Sequence, residues 1–515
     1  MTKRSSNLKS FTSLTAFSMS EKVLAFVYQA IVAAVLGAGV VTDCYFSASQ
    51  LFDLIDSTVL GALVVVVLNR YANICEEKDE NAGHKFLSSL NSLLTIVMAG
   101  LAVLTFIFAE PFSHLIAPGF DAAARPELVK CIRILCVIPP IMVFATIAQG
   151  LLRQKKCFII VNSRSLCISL CGMFVVLVFS MRHPDNADIL CYGYVAANLV
   201  FALLLFFRSR SFGRIGYARP RFDEDTKKLF VLAGPAIISK GVVRISLMID
   251  QIIASTLGKG SVSHLNYAHS LYNIVSSLLI VNLCIIMLTD FTNLCVKKKY
   301  DEIVNKLHVS ASSILLLLAP VSLLTVCYSR EIVAIAYQRG AFKADSTEAV
   351  GSLLLFYAIG FVPALLNSLY TQVLHSFGKM RIAMINTVVS FALNITISIV
   401  LSIFLGIIGI AIGTTTSSLL VVLLYKHAVK KCLPGLKSVF TLKYVLKLLG
   451  GLAGCLLAIA AAKLFIRSSL LSFAAATLVG FALFAALLIL LNEKTIMGYI
   501  HKLKKAKKGT QNGAD

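Results

Sequence analysis

LGAGVVTDCYF, Leu36 to Phe46, interrupts a long apolar run with two glycines, a threonine and an aspartate, and a near copy returns as LGKGSVSHLNY, Leu257 to Tyr267. Leu36, Gly37, Gly39 and Val41 recur as Leu257, Gly258, Gly260 and Val262 at a constant offset of 221. A second pair lies further on: PGFDA, Pro118 to Ala122, against GAFKA, Gly340 to Ala344, at an offset of 222. Each member of that pair precedes an apolar segment carrying proline, Pro139 and Pro140 in the first and Pro363 in the second. Two matches at nearly one offset indicate that the chain contains two tandem copies of one unit. The glycines suit helix C-termini, where a left-handed residue satisfies the last carbonyls. The aspartate is specific to one copy, because the partner of Asp43 is His264.

The background of these motifs is a membrane chain. Of 515 residues, 58% are hydrophobic and only 14% charged, with mean hydropathy +0.84, whereas a water-soluble surface needs about a quarter charged residues. About fourteen segments reach the length needed to cross a bilayer, from 14–37 at one end to 470–491 at the other. The first lacks a small-residue cleavage site and is expected to remain in the protein. The net charge of +23 follows the connections. One side holds Lys3 to Lys9, Arg70 to Lys85, Arg153 to Lys156, Arg208 to Lys228, Lys297 to Lys299, Lys426 to Lys443 and the tail from Lys494 to Lys508. The other has scattered cations such as Arg125, Arg182, Lys259 and Arg339. By the positive-inside rule both termini are cytoplasmic, and the basic balance marks orientation and anionic lipid rather than nucleic acid. The thirteen cysteines lie mostly within apolar runs and read as small fillers, with no metal or disulfide framework expected.

The expected fold is therefore an all-α polytopic membrane protein of about fourteen transmembrane helices. It would have an N-lobe over residues 1–222, a C-lobe over 223–432, two further helices over 433–492 that form a lipid-facing groove, and a basic tail over 493–515. Six segments per unit is an even number, so both lobes insert the same way round and a pseudo-two-fold axis along the membrane normal relates them. Such a pair generates a cleft at the midplane, where transporters bind substrate and rock.

Polar residues inside the segments cluster where such a cleft needs them. Thr15, Ser18, Lys22 and Gln29 share one helical face in the first span, as do Ser49, Asp53 and Asp56 in the second. Lys240, Arg244 and Gln251 align in the seventh with Asp250 a quarter turn away, and His269, Asn273 and Ser276 align in the eighth. Ionised groups at membrane depth cost at least roughly 2.5 kcal/mol each by insertion scales, so they face a wet cavity or one another. The candidate substrate-binding set is Lys22, Gln29, Asp43, Asp53, Asp56, Lys240, Arg244, His269 and Asn273. The competing reading of its charged members is that they are paired to hold helices together. Asp250, Asn386, Thr414 and Thr415 offer oxygen ligands for a coupling cation, and are equally suited to helix packing. Gly37, Gly39, Gly258, Gly260, Pro139 and Pro363 are the gate and hinge candidates. No nucleotide-binding loop, zinc-protease motif or nucleophile elbow is present, so no enzymatic activity is expected.

Four blocks, AFVYQAIVAAVLGAGVVTDCYFSASQLFDLI, IAPGFDAAARPELVKCIRIL, AGPAIISKGVVRISLMIDQIIASTLGKGSVSHLNYAHSLYNI and YQRGAFKADSTEAVGSLLLFYAIGFVPALLNSLYTQVLHSFGKMRIAMINTV, resemble, in that order, the MurJ/MviN family. These are the lipid II flippases of bacterial cell-wall synthesis, within the multidrug/oligosaccharidyl-lipid/polysaccharide exporter superfamily. The resemblance covers most of residues 10–430. It implies fourteen helices in two lobes plus a lipid-facing pair, alternating access, and no nucleotide site. Asp43 matches the family's aspartate at the outer end of the first turn. Where the family carries Arg-Asp this chain has Tyr28-Gln29, its Leu-Arg-Arg is here Ile55-Asp56-Ser57, and the arginine of its Tyr-Ala-Asp-Arg block is Ser270. Arg244 stands where a polar uncharged residue is common.

The resemblance implies a lipid II flippase of the bacterial inner membrane, monomeric, without cofactor. Its partners would be membrane lipid and a polyprenyl-pyrophosphate-linked sugar meeting Lys22, Lys240 and Arg244, with membrane potential, sodium or protons driving transport. Two alternatives stay open at this stage: a flippase for exopolysaccharide or O-antigen lipid-linked oligosaccharides, and a cation-coupled multidrug exporter that would account for Asp53 and Asp56.

Overall fold

The computed structural model describes residues 2–180, 186–213, 215–436, 440–466 and 468–491, and among them there are helices and no strands. Arg182 and the basic tail lie outside the described residues, as does the side chain of Thr15. Ten helices are long and apolar enough to cross a bilayer, or eleven counting one bent pair, among the described residues. The protein is an all-α polytopic membrane protein. Two of the fourteen apolar segments, 157–181 and 265–293, are interrupted, leaving the shorter apolar stretches Arg164–Phe179 and Ile286–Val296.

Two compact units divide the chain. The first, Met1–Tyr267 with Tyr337–Ser346, contains α1 (Thr2–Leu36), α2 (Val40–Ile55), α3 (Gly61–Glu77), α4 (Glu80–Ile107), α5 (Ala109–Ile116), α6 (Ala124–Leu135), α7 (Ile138–Gln154), α8 (Phe158–Asn162), α9 (Arg164–Val175), α10 (Ala187–Ser209), α11 (Glu224–Ser255) and the start of α12 (Ser261–Ser276). The second holds the rest of α12, then α13 (Asn282–Val296), α14 (Tyr300–Cys327), α15 (Ser329–Tyr337) except its last residue, α16 (Ala344–Ile359) from Thr347 on, α17 (Phe361–Ser376), α18 (Met380–Leu405), α19 (Ile407–Cys432), α20 (Leu442–Phe465) and α21 (Ser469–Leu490). The packing boundary at Tyr267 lies beyond the repeat boundary at 222/223, because α11 packs along α2 and α3.

The duplication is written into the helix bounds. α2 spans Val40–Ile55 and α12 spans Ser261–Ser276, the same length displaced by 221 residues. Each then runs into a five-residue π-turn, Asp56–Leu60 and Ser277–Val281, and each π-turn is followed by a further helix, α3 or α13. A π-turn inserts one residue into the helical register and is uncommon outside functional sites. Its presence at matched positions shows that the two copies share this local geometry.

Glycine and proline punctuate the helices as their chemistry requires. Gly37 ends α1 in the left-handed region, φ +69, with its N–H on the Ala33 carbonyl at 2.9 Å. Gly39 is extended, φ −167, and so needs no glycine for its backbone. The prolines sit just after breaks rather than in mid-span. Pro139 lies in the first turn of α7, and Pro363 follows Gly360, where α16 and α17 meet at 45°. Proline is tolerated there because the first turn of a helix has no acceptor for its missing N–H.

Candidate functional site

The two glycine turns of the repeat meet inside the first unit. Asp43 lies in the first turn of α2 and is 2% exposed. Its Oδ2 accepts the Gly260 N–H at 2.6 Å, and its Oδ1 accepts the Ser263 N–H at 2.7 Å and the Ser263 hydroxyl at 2.5 Å. Gly260 immediately precedes α12, so the carboxylate satisfies the unpaired donors at the start of that helix and faces the positive end of its dipole. The acid retained in one copy therefore serves the helix of the other. Tyr267 answers in the opposite direction, donating its hydroxyl to the Gly37 carbonyl at the end of α1, 3.0 Å.

The second motif pair is exchanged in the same way. Ala341 of the GAF turn donates its N–H to the Ala34 carbonyl at 2.8 Å, and a methyl added at Gly37 would lie 2.7 Å from the Ala341 oxygen. On the other side a methyl added at Gly119, of the PGF turn, would overlap the Ser255 carbonyl and Thr256. Ala34 and Ser255 are equivalent positions in the repeat, so each glycine turn is seated against the other copy's turn. Lys259 reaches Asp121 at 3.1 Å. The Ala124 N–H together with that ammonium hold the Asp121 carboxyl below the usual carboxylate range. A small cavity of about 220 Å³ remains here, lined by Asp43, Asp121, Lys259 and the adjoining backbone.

The carboxylates of the second segment are engaged. Asp56 forms an ion pair with Arg164 of α9, and Arg164 Nε donates to Asn198 Oδ1 of α10 at 3.0 Å. The Tyr194 hydroxyl donates to Asp53 Oδ1 at 2.6 Å, while Asn198 returns its amide to the Tyr194 carbonyl at 2.8 Å. The network ties the end of α2 and its π-turn to α9 and α10, with Arg164 Nη2 the one buried donor of the guanidinium left without an acceptor among the described residues. Arg164 was missed at the sequence level. Its only cue was an isolated arginine in an apolar segment, which by itself names no partner.

The cations of α11 are in a different position. Lys240 donates to the Gly61 carbonyl, where the π-turn hands over to α3, at 2.9 Å, and Arg153 and Arg244 are its charged neighbours. No ion pair engages Arg153, Lys240 or Arg244 among the described residues. Arg153 and Arg244 are half-buried, as are Lys22 and Gln29 on α1. In the second unit, the Asn273 amide and His269 Nδ1 lie 3.0 Å apart, with His269 stacked on Tyr272. Asp250 is buried in the first unit, whereas Asn386, Thr414 and Thr415 belong to the second. The Thr414 hydroxyl donates to the Ile410 carbonyl at 3.0 Å, the i−4 back-bond of a helical threonine, and that of Thr415 donates to the Phe356 carbonyl at 2.8 Å, tying α19 to α16.

Comparison with known proteins bears on the whole architecture. The family described as "Lipid II flippase MurJ" matches residues 32–502. The chain belongs to that family. Among its relatives, the probable lipid II flippase MurJ of Rhizobium meliloti is 26% identical over 416 residues, covering 78% of this chain and 77% of the relative. That of Rickettsia prowazekii is 26% identical over 364 residues, 68% of this chain and 70% of the relative. Among solved structures, a lipid II flippase MurJ in an inward closed conformation aligns with TM-score 0.79 at 19% identity, covering 92% of this chain and 98% of that one. An inward-facing multidrug transporter of the MATE family aligns with TM-score 0.66 at 14% identity, covering 81% of this chain and 95% of that one. At these identities the structures establish the fold alone. The family is one of lipid flippases.

Proposed function

We propose that this protein flips a polyprenyl-pyrophosphate-linked glycan, lipid II or a related peptidoglycan precursor, from the inner to the outer leaflet of the bacterial cytoplasmic membrane. It does so by alternating access, as a monomer, with both termini in the cytoplasm. The observation that carries the reading, beyond the family match, is the set Arg153, Lys240 and Arg244: half-buried or exposed cations to which no carboxylate is paired among the described residues. A pyrophosphate supplies the missing anion. The interlocked glycine turns are the closed exterior gate, and Asp43 is its latch.

The charge distribution also separates this reading from drug export. A cationic substrate would want free carboxylates, yet Asp56 is neutralised by Arg164 and Asp53 accepts the Tyr194 hydroxyl. Outward movement of a dianion across an inside-negative membrane gains roughly 2.3 kcal/mol per charge per 100 mV, so membrane potential is a sufficient driving force.

The test is native mass spectrometry of the purified chain, followed by complementation of a flippase-depleted strain. A polyprenyl-pyrophosphate glycan should co-purify, and Lys240→Ala with Arg244→Ala should remove both the lipid and growth without lowering the amount of protein in the membrane. Full growth of the double variant would overturn the role of these cations. Uptake of fluorescent cations with no bound polyprenyl lipid would overturn the flippase reading.

A further inference from the structure

A second cluster of polar groups lies at the far end of α11 from the glycine turns. Here α3 and the first turns of α11 enclose a cleft of about 450 Å³, in the range of about 300 to 1,000 Å³ that small-molecule sites occupy. Asn69 and Asn73, four residues apart and so on one face of α3, line it with Arg70. Arg70 is fixed in place: its Nη2 pairs with Asp225 and its Nη1 lies 3.7 Å from Glu77. Its Nε–H is buried and has no acceptor. Across the cleft, Lys228 is matched by Glu224 at 2.9 Å, whereas Lys227 is exposed and has no ion-pair partner among the described residues. Directly beside these donors, Val231 and Leu232 are 68% and 62% exposed.

We propose that this cleft seats the phosphate of an anionic phospholipid from the adjoining leaflet. Arg70 Nε, the Asn69 and Asn73 amides and the Lys227 ammonium bind the headgroup, and Val231 and Leu232 line the first methylenes of its chains. The chemistry is complementary on both sides of the lipid's polar boundary. Arg70 Nε and Lys227 are left without an acceptor or ion-pair partner once Asp225 and Glu224 have matched Arg70 and Lys228, while the apolar pair lies where a soluble protein would place polar groups. Asp225 gives the site a structural consequence. Arg70 reaches Asp225 near the start of α11, so a phosphate on its remaining edge braces the guanidinium that ties α3 to α11.

The experiment uses the full chain in detergent, titrated with phosphatidylglycerol or phosphatidylcholine and read by native mass spectrometry. A diazirine-headgroup phosphatidylglycerol then locates the site by cross-linking. The expected result is a preferred first phosphatidylglycerol, cross-linked within Asn69–Asn73 or Glu224–Leu232. The exposed-site variant Asn69→Leu/Asn73→Leu/Lys227→Ala should lose it by about tenfold or more, as expected for removal of hydrogen bonds to a charged group. These are surface changes, and an unchanged melting curve and gel-filtration profile establish that the variant is folded. Equal binding of the two lipids, cross-links elsewhere, or undiminished binding to the folded triple variant would each overturn the proposal.

Discussion

The carboxylate of Asp43 accepts the backbone N–H of Ser263 at 2.7 Å, joining positions 220 residues apart. The same carboxylate takes the Gly260 N–H and the Ser263 hydroxyl, so three donors converge on one buried acid. This explains how one copy of a duplicated turn can keep a charge that the other lacks: the acid of the first caps the helix of the second. Replacing Asp43 by Asn leaves an oxygen acceptor but removes the charge, and should lower stability by about 1 to 2 kcal/mol, in the range of helix-capping and dipole effects. Ser263→Ala retains the backbone donor and should cost less. Thermal unfolding of the two variants in detergent measures the order. An Asp43→Asn protein as stable as the parent would remove Asp43 from the closure.

Gly37 and Gly39 differ in what they tolerate. Gly37 has φ +69, and a methyl there would press on the Ala341 oxygen at 2.7 Å, whereas nothing lies within 4 Å of a methyl at Gly39. Gly37→Ala should therefore cost about 1 to 3 kcal/mol, from backbone strain and loss of close packing, or shift the protein away from this seating of the turns. Gly39→Ala should be nearly silent. A cysteine pair placed across the turns, one at Ala38 and one in the Gly340–Phe342 turn, reports the shift through its cross-linking yield in each background.

The contrast shows which parts of the fold were legible in sequence. The duplication was readable because helix ends are locally encoded: Gly37 and Gly258 both have positive φ, and the helices that follow start at matched positions. The membrane class followed from composition alone. Pairings between segments were not readable. Asp56 and Arg164 are 108 positions apart, and a charge in an apolar segment looks the same whether it faces substrate or a counter-ion. The resemblance made Asp56 conspicuous as a reversed charge, but the compensating cation lies on α9, outside the motif. The Arg70 cleft was likewise read only as topology, because an unpaired Nε–H is a property of packing.

Asp56 and Arg164 should behave as a unit. Breaking a buried pair from one side leaves an uncompensated charge, so Asp56→Ala or Arg164→Ala alone should destabilise by about 3 to 5 kcal/mol. The swapped pair, Asp56→Arg with Arg164→Asp, should recover part of that loss. Unfolding temperatures of the parent, the two alanine variants and the Asp56→Ala/Arg164→Ala double variant close a double-mutant cycle, with the swapped pair as the rescue. If Asp56→Ala folds like the parent and loses only transport, the carboxylate acts on substrate and the structural assignment is wrong.

Asp225 supplies a pH test at the opposite end of α11. Hydrogen bonding and charge from Arg70, with Lys78 at 3.6 Å, hold its carboxyl below the ordinary value of 3.8. A carboxyl whose folded value is depressed contributes stability that is fully present above the unfolded value and is lost as pH falls through the folded one. Parent and Asp225→Asn proteins should therefore differ in unfolding temperature by a constant amount from about pH 5 to 8, since unperturbed Asp titrates near 3.9. The gap should narrow only below that titration. Melting curves collected from pH 3 to 8 decide the matter: a gap that closes near neutrality would show that the group responsible is not Asp225. Lys78→Ala should reduce the gap only slightly, because Lys78 is exposed and its ion pair is screened.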